Sequence, residues 1–199
     1  MPDMSAVPVP ASGRYVLTRQ FFKLVGANFR VTDLSGQLVY FSHQKGFKLK
    51  EDIRVYRDEA QTQEVLRIAA RQILDFSAAY DVIDSATGQK LGAFKRKGLA
   101  SSFVRDEWVL MGPNDEELGK VIEDNVFMAL LRRYVINIIP QNYDLLLNDG
   151  SRALDLRQNF NPFVYKLEID FTVDPQRRLD ERMGIVAGIL MAAIEGKQR

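Results

Sequence analysis

The sequence predicts a mainly β protein: a closed antiparallel barrel of about twelve strands around a buried, apolar C-terminal helix. Three observations carry that reading. Short segments alternate apolar and polar residues with period two. Four stretches share the order apolar run, polar turn with glycine or asparagine, apolar run. The run Met183–Ile194 is apolar on every side.

The turn stretches are 29–40, 80–92, 108–119 and 143–154. Each centres on residues that accept turn conformations: Asp33 to Gly36, Asp84 to Gly88, Asn114 and Asp115, Asn148 to Gly150. Each therefore reads as a β-hairpin. The spacing between them is uneven, which excludes a solenoid repeat.

Alternation places one face of each strand inside. Ile53 and Val55 oppose Arg54 and Tyr56. Leu154 and Leu156 oppose Asp155 and Arg157. Tyr165, Leu167, Ile169 and Phe171 oppose Lys166, Glu168 and Asp170. One buried and one wet face is the pattern of an antiparallel sheet. A sheet of that many strands closes, because open edges are a liability, and a barrel that wide is hollow.

The helix fills the hollow. Met183–Ile194 is too short to span a bilayer, which needs roughly 20 residues, and an all-round apolar helix otherwise belongs inside a protein. Gly184, Gly188, Ala187, Ala192 and Ala193 keep it slim. The expected organisation is a disordered lead over residues 1–13 and a single domain over 14–199, with the central helix at 179–195. One segment breaks the β pattern: Phe127, Leu130, Leu131 and Tyr134 recur at helical spacing with Asp124 or Asn125 as a cap, which predicts a second helix before Pro140.

Composition excludes several functions. The chain of 199 residues is 46% hydrophobic and 27% charged, with net charge +1, so no partner class is favoured by global charge and no nucleic acid is expected. It has no cysteine, which removes disulfides, thiolate metal sites and cysteine nucleophiles and fits a reducing compartment. The N-terminus has no basic region followed by an apolar run, so a cytoplasmic protein, at most peripheral to a membrane, is expected. His43 reads as a loop histidine, and no Walker or Gly-x-Ser-x-Gly motif is present. A non-enzymatic protein without a cofactor follows. The acidic pairs Asp58-Glu59, Asp106-Glu107 and Glu116-Glu117 fall at predicted turns and read as solvated.

Two basic clusters remain as candidate sites. Lys95, Arg96 and Lys97 lie at a strand end, with Lys95 and Lys97 on one face and Arg96 on the other. They either bind a lipid phosphate or another anion, or form a solvated strand end. Lys45, Lys48 and Lys50 lie in a predicted loop around Gly46 and Phe47, and either extend that patch or are ordinary surface. The stripe Phe127, Leu131, Tyr134 and Ile138 either packs on the barrel or contacts a membrane or a protein partner.

The hairpin from Tyr80 to Gly98, with Asp84, Gly88, Gly92 and Lys95 to Lys97, resembles the LURP-one-related proteins. So do the turn Asp33 to Gly36, the Trp108 strand and the terminal apolar helix. That group is similar to the Tubby C-terminal-like domains and the phospholipid scramblases. The resemblance runs from about Tyr15 to Ile194 and implies a twelve-stranded barrel around a C-terminal helix. It also implies a lipid- or anion-binding module of the phospholipid-binding kind; a structural or regulatory interaction domain is the alternative. The scramblase calcium segment corresponds to Asp170–Asp180, where the acids do not follow a D-x-D-x-D-G loop and Arg177 and Arg178 intervene. No metal site is therefore expected.

Overall fold

The computed structural model describes residues 12–22, 26–45, 52–71, 78–97, 107–123, 141–159 and 164–194. The predicted helix over 124–136 and residues 1–11 of the predicted lead over 1–13 lie outside them.

Twelve antiparallel strands form one closed barrel. In chain order they are β1 (Arg14–Phe22), β2 (Gly26–Asp33), β3 (Leu38–Lys45), β4 (Ile53–Tyr56), β5 (Glu64–Ala70) and β6 (Ala79–Asp84). The circuit continues with β7 (Lys90–Arg96), β8 (Trp108–Met111), β9 (Glu117–Glu123), β10 (Asn142–Leu147), β11 (Arg152–Asn159) and β12 (Tyr165–Asp170). Every strand pairs with its neighbour in sequence, and β1 pairs with β12 to close the circuit. Tyr15 stands opposite Ile169 and Arg19 opposite Tyr165 in that seam. Closure leaves no edge strand.

The four predicted hairpins are β2–β3, β6–β7, β8–β9 and β10–β11. An aspartate builds three of their turns in the same way. Asp33 Oδ1 accepts from the amides of Ser35 and Gln37 at 2.9 Å, Asp84 Oδ1 from those of Ala86 and Thr87, and Asp149 Oδ1 from that of Ser151. The following Gly36, Gly88 and Gly150 take positive φ, where a side chain is costly.

The helix α1 (Glu181–Ile194) runs through the lumen, and every residue from Met183 to Ile194 is buried. It begins beside Tyr15, near the start of β1, and ends beside Arg19, nearer that strand's end. The inward side chains of the strands supply its walls: Leu17, Val31, Val55, Ile68, Phe94, Leu110, Leu145, Leu156 and Ile169 are among them. The glycines set how close the wall comes. A Cβ on Gly184 would stand 2.4 Å from the Phe171 ring, and one on Gly188 would stand 2.7 Å from Ile169 Cδ1. Neither distance is compatible with an unshifted neighbour.

Many outward positions are charged. On β11 and β12 they include Asp155, Arg157, Lys166 and Glu168, where a membrane-spanning barrel carries an apolar band. No helix among the described residues is long and apolar enough to cross a membrane.

Candidate functional site

Antiparallel order sends the ends of the odd strands and the starts of the even strands to one end of the barrel, the end where α1 finishes. There the inward alternation turns polar. Arg19 on β1, Gln44 on β3, Trp108 on β8 and Gln158 on β11 are buried. Arg96 on β7 is half-buried and directed at Trp108.

Arg19 closes the helix. It is 3% exposed, its Nη1 donates to the Ala192 carbonyl, and its guanidinium lies 4.8 Å from the centroid of the Tyr165 ring. The last turn of α1 has no basic residue of its own. A strand-borne cation therefore meets the negative end of the helix dipole and a carbonyl of its last turn. This residue was invisible as a site in the sequence. Thr18-Arg19-Gln20 reads as a polar stretch, and only the β1 alternation through Tyr15 and Leu17 points it inward.

The rest of the layer offers further donors. Gln44 Nε2 and Trp108 Nε1 are buried without a hydrogen-bond partner among the described residues. Unpaired buried donors are costly, so a group that accepts from them is favoured. The Arg96 guanidinium stands 5.9 Å from the centroid of the Trp108 ring. Gln158 Oε1 accepts from the Gln141 amide at 2.8 Å, which occupies its acceptor.

The predicted basic cluster divides as alternation requires. Lys95 and Lys97 are exposed on the outer face, and Arg96 turns toward the lumen. Lys97 Nζ is 2.5 Å from Glu107 Oε1, a hydrogen bond that holds the lysine pKa above its ordinary value. The cluster is thus one rim-directed guanidinium, one ion-paired lysine and one lysine exposed on the wall. Lys45 is the last residue of β3, not a loop residue; its side chain, and the whole of Lys48 and Lys50, lie outside the described residues. The β3 and β7 ends nevertheless share the helix-terminal end of the barrel. Phe127, Leu131, Tyr134 and Ile138 also lie outside the described residues.

His43 is a strand residue, which corrects the expected loop placement: on β3 it faces Asn28, with Nδ1 2.6 Å from Asn28 Oδ1. Its neighbours Ser42 and Gln44 are the inward positions, and a single polar residue between them gives no sequence signal of a strand. Several of the acidic side chains taken as solvated are engaged. Asp58 accepts from Thr62 and Gln63, Glu59 pairs with Arg30, and Glu107 with Lys97.

In the segment before α1, arginines occupy the carboxylates. Arg178 reaches Asp174 at 3.1 Å and Asp149 at 2.9 Å, and Arg182 reaches Asp180 at 2.7 Å. Among the described residues no group of three histidine, aspartate or glutamate side chains is arranged to hold a metal.

Residues 40–177 match the family model described as LURP-one-related. No curated protein matches the chain.

Proposed function

The chain belongs to the LURP-one-related family, and on that premise we propose that it is a non-enzymatic module that binds an anionic lipid head group or a related anion at the helix-terminal end of the barrel. The observation that supports this most is the donor-rich layer there, with Gln44 Nε2 and Trp108 Nε1 unpaired among the described residues and Arg96 beside Trp108. Anions gain most from donors already held in place and shielded from water. Lys95 and Lys97 would add attraction to an anionic surface from the outer wall, and Lys45, Lys48 and Lys50 extend the same basic end in sequence.

Flotation with vesicles containing phosphatidylserine, and with purely zwitterionic vesicles, tests the reading. Binding is expected only with the anionic vesicles and weakens with salt. Changing Lys95, Arg96 and Lys97 to Gln removes about 1 kcal/mol per residue near such a surface. Unchanged flotation of that variant removes the cluster from the account. Failure of the parent protein to float removes the lipid reading, and inorganic phosphate in a thermal melt then tests the free anion.

A further inference from the structure

At the opposite end of the barrel, where α1 begins, lies a cavity of about 200 Å³. Its walls are largely apolar, formed by Ala153, Phe171 and Leu179, with the backbone of Gly13 closing one side. Asp174, Arg177, Asp180 and Glu181 also line it. A cavity of about 150 Å³ lined by apolar side chains accepts a benzene ring. This one therefore has room for a small ring or a branched chain with a short polar arm.

The bordering charges differ in what they already hold. Asp174 receives the Arg178 amide at 2.7 Å and its Nε at 3.1 Å. Asp180 receives the Arg182 amide at 2.8 Å, its Nε at 3.1 Å and its Nη2 at 2.7 Å. Glu181 is half-buried, and its hydrogen-bond donor is the neutral Tyr15 hydroxyl, 2.6 Å from Oε1. Among these carboxylates Glu181 alone has no cation in hydrogen-bond contact among the described residues. Burial holds its pKa above the ordinary carboxylate value, against the Tyr15 hydrogen bond and the Arg177 and Arg57 charges, which lower it. Arg177 is exposed at the rim, with φ +49°, in the left-handed region.

We propose that this cavity binds a small primary amine, its compact apolar body seated on Ala153, Phe171 and Leu179 and its ammonium group paired with Glu181. The site is separate from the anion-binding end, at the other mouth of the barrel, and does not depend on it. The ligand charge is assigned by the carboxylate that lacks a cation, and its size by the cavity. Arg177 acts as a competing rim charge, not as the anchor.

The test uses the full chain and three probes of one shape: benzylamine, benzyl alcohol and benzoate, titrated by isothermal calorimetry with ligand-induced thermal shifts alongside. Benzylamine is expected to bind at least tenfold more tightly than either other probe. Glu181→Gln, which retains an acceptor for Tyr15, is expected to lose that preference, and Arg177→Gln to tighten benzylamine severalfold by removing the competing cation. Equal binding of benzylamine and benzyl alcohol overturns the proposal, as does absence of binding by all three. Tighter binding of benzoate overturns it in favour of an anion held by Arg177. Should Glu181→Gln not fold, the exposed Arg177 variant decides by itself, because weaker benzylamine binding there contradicts the assigned charge.

Discussion

Arg19 and Ala192 are joined by a hydrogen bond from the buried guanidinium of the first strand to a carbonyl in the last turn of the helix, 173 residues apart in the chain. One residue thus serves the β1–β12 seam, through Tyr165, and the end of the central helix. Arg19→Ala is expected to lower stability by about 1.5–3 kcal/mol, the cost typical of losing a hydrogen bond to a charged group. Arg19→Lys is expected to recover only part of it, because an ammonium lacks the planar fork that reaches the carbonyl while lying on the Tyr165 ring. Urea melts of the two variants measure both effects.

Glu181 gives a pH dependence of definite sign. Burial raises its pKa in the folded protein. The folded state therefore holds this proton more tightly than the unfolded chain, and stability falls as pH rises from the unfolded value to the folded one. Below that window the carboxyl costs nothing extra; above it the ionised group is a destabilising charge. Glu181→Gln is expected to flatten this part of the stability–pH curve and to melt no lower than the parent at neutral pH. Tyr15→Phe, which strips the carboxylate of its donor, is expected to cost about 1–3 kcal/mol. Thermal melts from pH 4 to pH 8 check the sign.

Gly188 lies against Ile169, with room for a hydrogen and none for a methyl. Gly188→Leu is expected to cost about 1–3 kcal/mol through overpacking, and possession of better helix propensity does not offset that. Ile189→Lys is expected to be worse, because Ile189 is 1% exposed and an unpaired charge there has no route to water. Denaturant midpoints order the two.

Truncation after Arg182 removes the whole buried run of α1. Ile185, Val186, Ile189, Leu190, Met191 and Ile194 each contribute roughly 1.5–3 kcal/mol of burial, and domains are stable by about 5–15 kcal/mol. The shortened chain is expected to lose its cooperative thermal transition. A transition near the parent's temperature contradicts the role of the helix as core.

Calcium at millimolar concentration is expected to leave the melting temperature unchanged. Asp174 and Asp180 are already bonded to Arg178 and Arg182, and a ligand that binds the native state must raise its stability. A calcium-dependent rise contradicts that assignment of the carboxylates.

Some features were legible in the sequence because they are local. A strand that buries one face must alternate, so Tyr165, Leu167 and Ile169 announce their side of the sheet without knowledge of their partners. Aspartate and glycine mark the hairpins because few other residues accept those backbone angles. An apolar run with no polar face, as in Met183–Ile194, has only the interior as its place in a protein of this kind. The barrel, its hairpins and its buried helix follow from these. The tertiary structure decided the long-range pairings: the β1–β12 closure, Arg19 beneath the helix end, Arg182 Nη1 against Asp84 Oδ2 at 2.6 Å, and Lys97 on Glu107. Charge in a sequence reveals its sign but not its partner. The partner depends on which strands meet and in what register, and a shift of one residue in β1 would carry Arg19 to the other face of the wall.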